Sequence, residues 1–92
     1  MNKKELIEAI ADKTGESKRL VNDVLDTTLD TIEKAVKKGE RVSIPGFGTF
    51  ERRARAARTA RNPRTGEEIK VPARKVPAFK AGATFKSNVS GR

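Results

Sequence analysis

The stretch Arg52–Lys75 constrains this chain most. It carries nine Lys/Arg against two Asp/Glu, and its opening alternates Arg with Ala rather than with a large apolar residue. Arg53 and Arg55 fall on one side of an extended strand, Ala54 and Ala56 on the other. A segment of small and basic residues has little to bury against its own domain. It is expected to reach into solvent and to be mobile when free. A solvated face usually mixes its charges, whereas a one-sign block repels itself and calls for a counter-surface. An anionic polymer is the expected partner.

The rest of the chain sets the frame for that segment. Residues 1–40 hold eight Lys/Arg and nine Asp/Glu, whereas residues 41–92 hold thirteen and three, so the whole excess of +9 lies in the second half. The 92 residues fit one small domain, which buries a modest share of its surface when folded alone. No Cys and no His are present. That excludes a thiol nucleophile, a disulfide framework and a Cys/His zinc site, and leaves no imidazole for acid–base work. No cofactor or metal is expected. No apolar run is long enough to span a bilayer, and Lys3 and Lys4 are not followed by the apolar stretch of a secretory signal. A cytoplasmic protein without a membrane partner is the expectation.

Two helices are predicted in the first half. Asn2 with Glu5 has capping-box spacing, and Leu6, Ile7, Ile10 and Ala11 follow on one face before Thr14-Gly15 ends the turn. Ser17 restarts a helix that Lys37, Lys38 and Gly39 close. From Lys18 to Lys38 it would be ~31 Å long at about 1.5 Å per residue. It carries two apolar stripes: Leu20, Val24 and Ile32, and Val21, Leu25, Leu29 and Val36. One short helix has too little of its own chain to cover both, so a homodimer is expected. Asp23, Asp26 and Asp30 share a helical face, where solvation and pairing with Lys34 explain them better than a metal site.

Strands are predicted in the second half. Arg41–Ile44 alternates, Pro45-Gly46 turns the chain, and Gly48–Glu51 begins the next strand. Gly46 and Gly48 suit a tight turn, or a close approach to a phosphate. Ala57-Arg58 breaks the alternation, which suggests a bulge. Asn62-Pro63-Arg64-Thr65-Gly66 has strong turn chemistry, and Ile69, Val71 and Ala73 alternate on the way back. Pro72 and Pro77 suit strand edges, since neither donates to a ladder. Arg52 to Pro63 would reach ~36 Å at about 3.3 Å per residue, close to the ~34 Å of one DNA turn. Val76–Lys80 returns to the body, and residues 81–89 form a short helix with Phe85 and Val89 facing the core. Phe47, Phe50, Phe79 and Phe85 are expected to cluster. Base-stacking aromatics would mark a single-strand binder, but the basic arm has none.

The run Gly46-Phe47-Gly48-Thr49-Phe50, then Arg55, Arg58 and Arg61-Asn62-Pro63-Arg64-Thr65-Gly66-Glu67, then Pro72-Ala73 and Val76-Pro77-Ala78-Phe79-Lys80, resembles the HU/IHF family of bacterial histone-like DNA-bending proteins, most nearly the HU homodimer type. The likeness covers essentially the whole chain, including the Asn-Lys-Lys-Glu-Leu opening. Ala60 departs from it, because many members carry Gly there; a slightly stiffer tip is expected. The resemblance implies an α+β fold: an intertwined dimer with a helical base, a three-stranded antiparallel sheet forming a saddle, a projecting β-ribbon arm and a short C-terminal helix. The whole of 1–92 would be one domain, with 1–40 as dimerisation base, 41–52 and 75–92 as saddle and terminal helix, and 53–74 as arm.

The same resemblance implies that Pro63 wedges between base pairs in the minor groove, HU and IHF being themselves the general examples of apolar minor-groove wedges. Arg53, Arg55, Arg58, Arg61 and Arg64 would then meet phosphates or groove along the arm, with Asn62 and Pro63 at the tip and Lys3, Lys80 and Lys86 on the flanks. Leu25, Leu29, Ile32, Phe47, Phe50 and Phe79 would form the dimer core. The expected partner is double-stranded DNA of low sequence preference, favoured when bent, nicked or flexible, in the bacterial nucleoid. RNA binding is the alternative, since A-form duplexes are read by shape. A nuclease is not expected.

Overall fold

A computed structural model describes residues 1–91; Arg92, the last residue of the terminal segment, lies outside the described residues. The chain forms α1 (Lys3–Thr14), α2 (Lys18–Lys37), β1 (Val42–Ile44), β2 (Gly48–Arg55), β3 (Arg58–Arg61), β4 (Glu68–Val71), β5 (Arg74–Ala81) and α3 (Ala83–Ser90). These fall into two compact units, Met1–Lys34 and Ala35–Arg92.

In the first unit the helix boundaries follow from side chains that satisfy orphan backbone groups. Asn2 Oδ1 accepts from the Glu5 N–H at 2.9 Å and starts α1. Gly15 ends it with φ 74°, its N–H donating to the Ala11 carbonyl. Ser17 Oγ accepts from the Leu20 N–H at 3.1 Å and starts α2. Lys3 and Asp26 form an ion pair between the two helices, and Lys34 pairs with Asp30 one turn away at 2.9 Å. The Asp30 carboxylate, by hydrogen bond and then by charge, raises the Lys34 ammonium above its ordinary value.

The two stripes of α2 are unequally covered. Val21 and Val36 are buried, and Leu25 and Ile32 are half-buried. Leu20, Val24 and Leu29 remain 47%, 58% and 50% exposed. Ile32 therefore belongs with the covered strip and Leu29 with its uncovered flank. Among the described residues no large side chain is fully buried.

In the second unit β1, β2 and β5 form one antiparallel sheet in that order, and β3 pairs with β4 in a separate ribbon. Gly46, at φ 79°, makes the β1–β2 turn, which the Phe47 N–H closes on the Ile44 carbonyl at 3.0 Å. Gly48 is needed for packing: a Cβ there would stand 2.5 Å from Phe79 Cζ and 2.7 Å from the Lys80 carbonyl oxygen. The four phenylalanines cluster as expected, with centroids at 4.8 Å (Phe50–Phe79), 5.2 Å (Phe47–Phe85) and 5.4 Å (Phe47–Phe79). Phe47 and Phe79 are nevertheless 44% and 42% exposed. Val89 does not face this core: it is 74% exposed, one turn beyond Phe85 on α3.

The expected bulge at Ala57-Arg58 is absent. Arg55 faces Arg74, and three residues on Arg58 faces Val71, three residues back. Both strands thus lose two residues of pairing, whereas a bulge would add one residue to one strand only. Pro72 explains the gap: it sits in the interruption opposite Ala57 and has no N–H to give the ladder. Pro77 lies on β5, an edge strand, as expected. Ala60 stands in the regular β3–β4 ladder opposite Ile69, and among the described residues none other than Gly has positive φ, so this position makes no demand for Gly.

Candidate nucleic-acid interface

Register decides which cations share a surface. The β2–β5 pairing runs unbroken from Gly48↔Ala81 to Arg55↔Arg74, across the expected saddle–arm boundary at 52/53. Alternation puts Arg53 and Arg55 on one face with Arg74 and Val76. Past the interruption, Thr59 and Arg61 share a face with Lys70 and Glu68, and Arg58 and Ala60 share the other with Val71 and Ile69. Arg55, Arg58 and Arg74 come together around a shallow concavity at the interruption, with Ala56, Val71 and Pro72 as its floor.

Like charges directly opposite, such as Arg55 and Arg74, destabilise a ladder. Among the described residues the ion pairs are Lys3–Asp26, Lys34–Asp30, Arg41–Glu51 and Arg53–Glu51. None involves Arg55, Arg58, Arg61, Arg64 or Arg74. The repulsion between Arg55 and Arg74 therefore has no acid within ion-pair distance to relieve it, whereas nearer the tip Glu68 stands directly opposite Arg61.

The tip is locally rigid. The Asn62 N–H donates to the Glu67 carbonyl at 2.8 Å, and the Gly66 N–H to the Asn62 carbonyl at 2.8 Å. Asn62 Oδ1 accepts from the Arg64 N–H at 2.9 Å, an Asx turn around Pro63. Gly66 takes φ 75°, which a side chain would resist. These bonds hold exposed Pro63 at the apex of the ribbon, with Arg61 and Arg64 on either side.

The remaining expected residues are more dispersed. Lys80 lies opposite Thr49 on the three-stranded sheet, and Lys86 is exposed on α3. Lys3 belongs to the helical unit, and its ammonium is engaged by Asp26. Arg52, part of the basic block, is exposed but already engaged: its Nη1 donates to the Lys37 carbonyl at 3.1 Å, where α2 ends. Sequence reading passed over Arg74 and Lys70. Counting back from the Asn62–Glu67 closure would have placed them opposite Arg55 and Thr59.

A helical pair, a three-stranded sheet and a cationic two-stranded ribbon with a proline tip define a small basic α+β class built to present a ribbon to an anion. The family model for Bacterial DNA-binding protein matches residues 1–90, and the chain belongs to that family. It is 54% identical over 92 residues to the SPbeta prophage-derived DNA-binding protein HU 2 of Bacillus subtilis, covering all of both chains. It is 52% identical over 89 residues to the DNA-binding protein HU of Geobacillus stearothermophilus, covering 97% of this chain and 99% of that one. The protein in an Anabaena HU–DNA cocrystal structure superimposes with a TM-score of 0.92 at 46% identity, over the whole of both chains.

Proposed function

We propose that this chain is an architectural DNA-binding protein that acts as a homodimer and bends double-stranded DNA with little regard to sequence. The observation that carries this reading is the ribbon: Arg55, Arg58, Arg61, Arg64 and Arg74, in no ion pair among the described residues, flank a hydrogen-bonded turn with Pro63 exposed at its apex. Arg53, Arg55, Arg58, Arg61 and Arg64, joined by Lys70 and Arg74, neutralise phosphates along the minor groove. Pro63, rigid and apolar, wedges into a base step while Arg61 and Arg64 hold the flanking phosphates. Lys3, Lys80 and Lys86 meet the bent flanks, Lys3 after giving up Asp26. The ribbon has no aromatic ring to stack on single-stranded bases, which favours a duplex. DNA of the bacterial nucleoid, in the cytoplasm, is the natural substrate. No chemistry on the DNA is involved.

Dimerisation is supported by what the single chain leaves uncovered. Leu20, Val24, Leu29, Phe47 and Phe79 are all 42–58% exposed, and a second copy gives them a core. Leu25, Leu29, Ile32, Phe47, Phe50 and Phe79 supply its centre.

The test is equilibrium binding to intact and nicked duplexes across a salt series. Affinity should be higher for the nicked duplex, whose bending costs less. If the dimer neutralises about six phosphates, the log–log salt slope should be near −5. A shallow slope with equal affinity for both duplexes would overturn the reading.

A further inference from the structure

Glu51 is the only acid on β2, and it sits where the cationic face begins. Its side chain is only 21% exposed, against 58% for Arg53 and 71% for Arg41. Oε1 accepts from Arg53 Nε at 3.1 Å, and Oε2 lies 3.4 Å from an Arg41 terminal nitrogen. Exposed pairs of this kind contribute little stability. Their geometry has a different consequence. The bond to Arg53 uses Nε and leaves both terminal nitrogens for an anion. A guanidinium held at Nε loses less freedom when it meets a phosphate than an untethered one does.

We propose that Glu51 is a positioning residue for DNA: it holds Arg53 so that its terminal nitrogens contact one backbone phosphate at the base of the ribbon. This rests on the DNA-binding reading above. It also makes an unusual demand, because an acid on a DNA-binding face should weaken binding by charge alone. Removing Glu51 should instead leave one phosphate without its arginine.

Glu51→Ala and Glu51→Gln separate the two effects. Both remove the negative charge, but Gln keeps a carbonyl oxygen that can accept from Arg53 Nε. With nicked duplex over a salt series, Glu51→Ala should flatten the slope by about 0.9 for each phosphate no longer neutralised, one per protomer. Glu51→Gln should keep the wild-type slope. Arg53→Ala should flatten the slope in the wild-type background and change nothing further in Glu51→Ala. If Ala and Gln behave alike, in either direction, or if the two Ala substitutions add, the proposal is wrong. A second readout needs no variant. The Arg53 Nε–H should stay protected from solvent exchange on adding duplex, and exchange as fast as that of a solvent-exposed arginine would also overturn the proposal. Absence of DNA binding by the wild type would instead refute the underlying function.

Discussion

Replacing Gly48 with Ala would place a methyl group where the Phe79 ring already sits. The new Cβ would be 2.5 Å from Phe79 Cζ, 2.6 Å from Cε1 and 2.7 Å from the Lys80 carbonyl oxygen. Carbon contacts are comfortable at about 3.5–4.0 Å, so the ring must retreat by ~1 Å. It has little room, with Phe50 at 4.8 Å and Phe47 at 5.4 Å between centroids. The carbonyl cannot retreat without disturbing the β2–β5 ladder, in which Gly48 pairs with Ala81. Overpacking of this kind costs about 1–3 kcal/mol. The stiffer unfolded chain returns only ~0.4–1 kcal/mol, which leaves a net loss of ~1–2 kcal/mol. Since 1 kcal/mol moves Tm by about 4–8 °C in a domain of this size, the expected fall is about 5–15 °C. Thermal unfolding by circular dichroism at one fixed protein concentration measures it, because association shifts apparent stability. A Tm equal to or above the wild type would refute the packing account of Gly48.

Three further outcomes follow from named contacts. Leu29→Asp puts a charge on the uncovered flank of α2 and should shift the chain from dimer towards monomer in sedimentation equilibrium; an unchanged dimer would place the interface elsewhere. Arg58→Ala with Arg61→Ala removes two ribbon cations that make no internal ion pair, and should flatten the DNA salt slope by about 0.9 for each phosphate left without its cation, while Tm stays within ~1 °C. Asp30 raises Lys34, so the pair's contribution is complete below the unfolded lysine pKa of about 10.4 and disappears as pH rises through the raised folded value. The Tm difference between wild type and Lys34→Gln should therefore be constant from about pH 6 to 9 and shrink only above about pH 10.5.

Much of the fold was legible because its signals are local. Asn2, Gly15, Ser17 and Gly39 each mark a helix boundary through their own chemistry, and the structure uses each of them there. The ribbon was legible from a lack: no large apolar residue recurs on the outgoing strand. What escaped depends on two strands or two helices at once. The bulge was inferred from Ala57-Arg58 alone, but register is shared, and Pro72 on the other strand decides it. Val89 repeats at helical spacing after Phe85, yet α3 meets the phenylalanine cluster over one turn only. Lys3 and Arg53 read as cations awaiting phosphate, whereas Asp26 and Glu51 already engage them. A charge count along the chain does not show such partners.

The central claim is that the arms hold DNA by charge and that Pro63 bends it. Fluorescence transfer between the ends of a short nicked duplex, measured for wild type and Pro63→Ala over a salt series, tests both halves together. The account predicts that Pro63→Ala keeps the salt slope, since no cation is removed, while the end-to-end approach seen with wild type largely disappears. Equal bending by both proteins would contradict it and make Pro63 an ordinary turn proline.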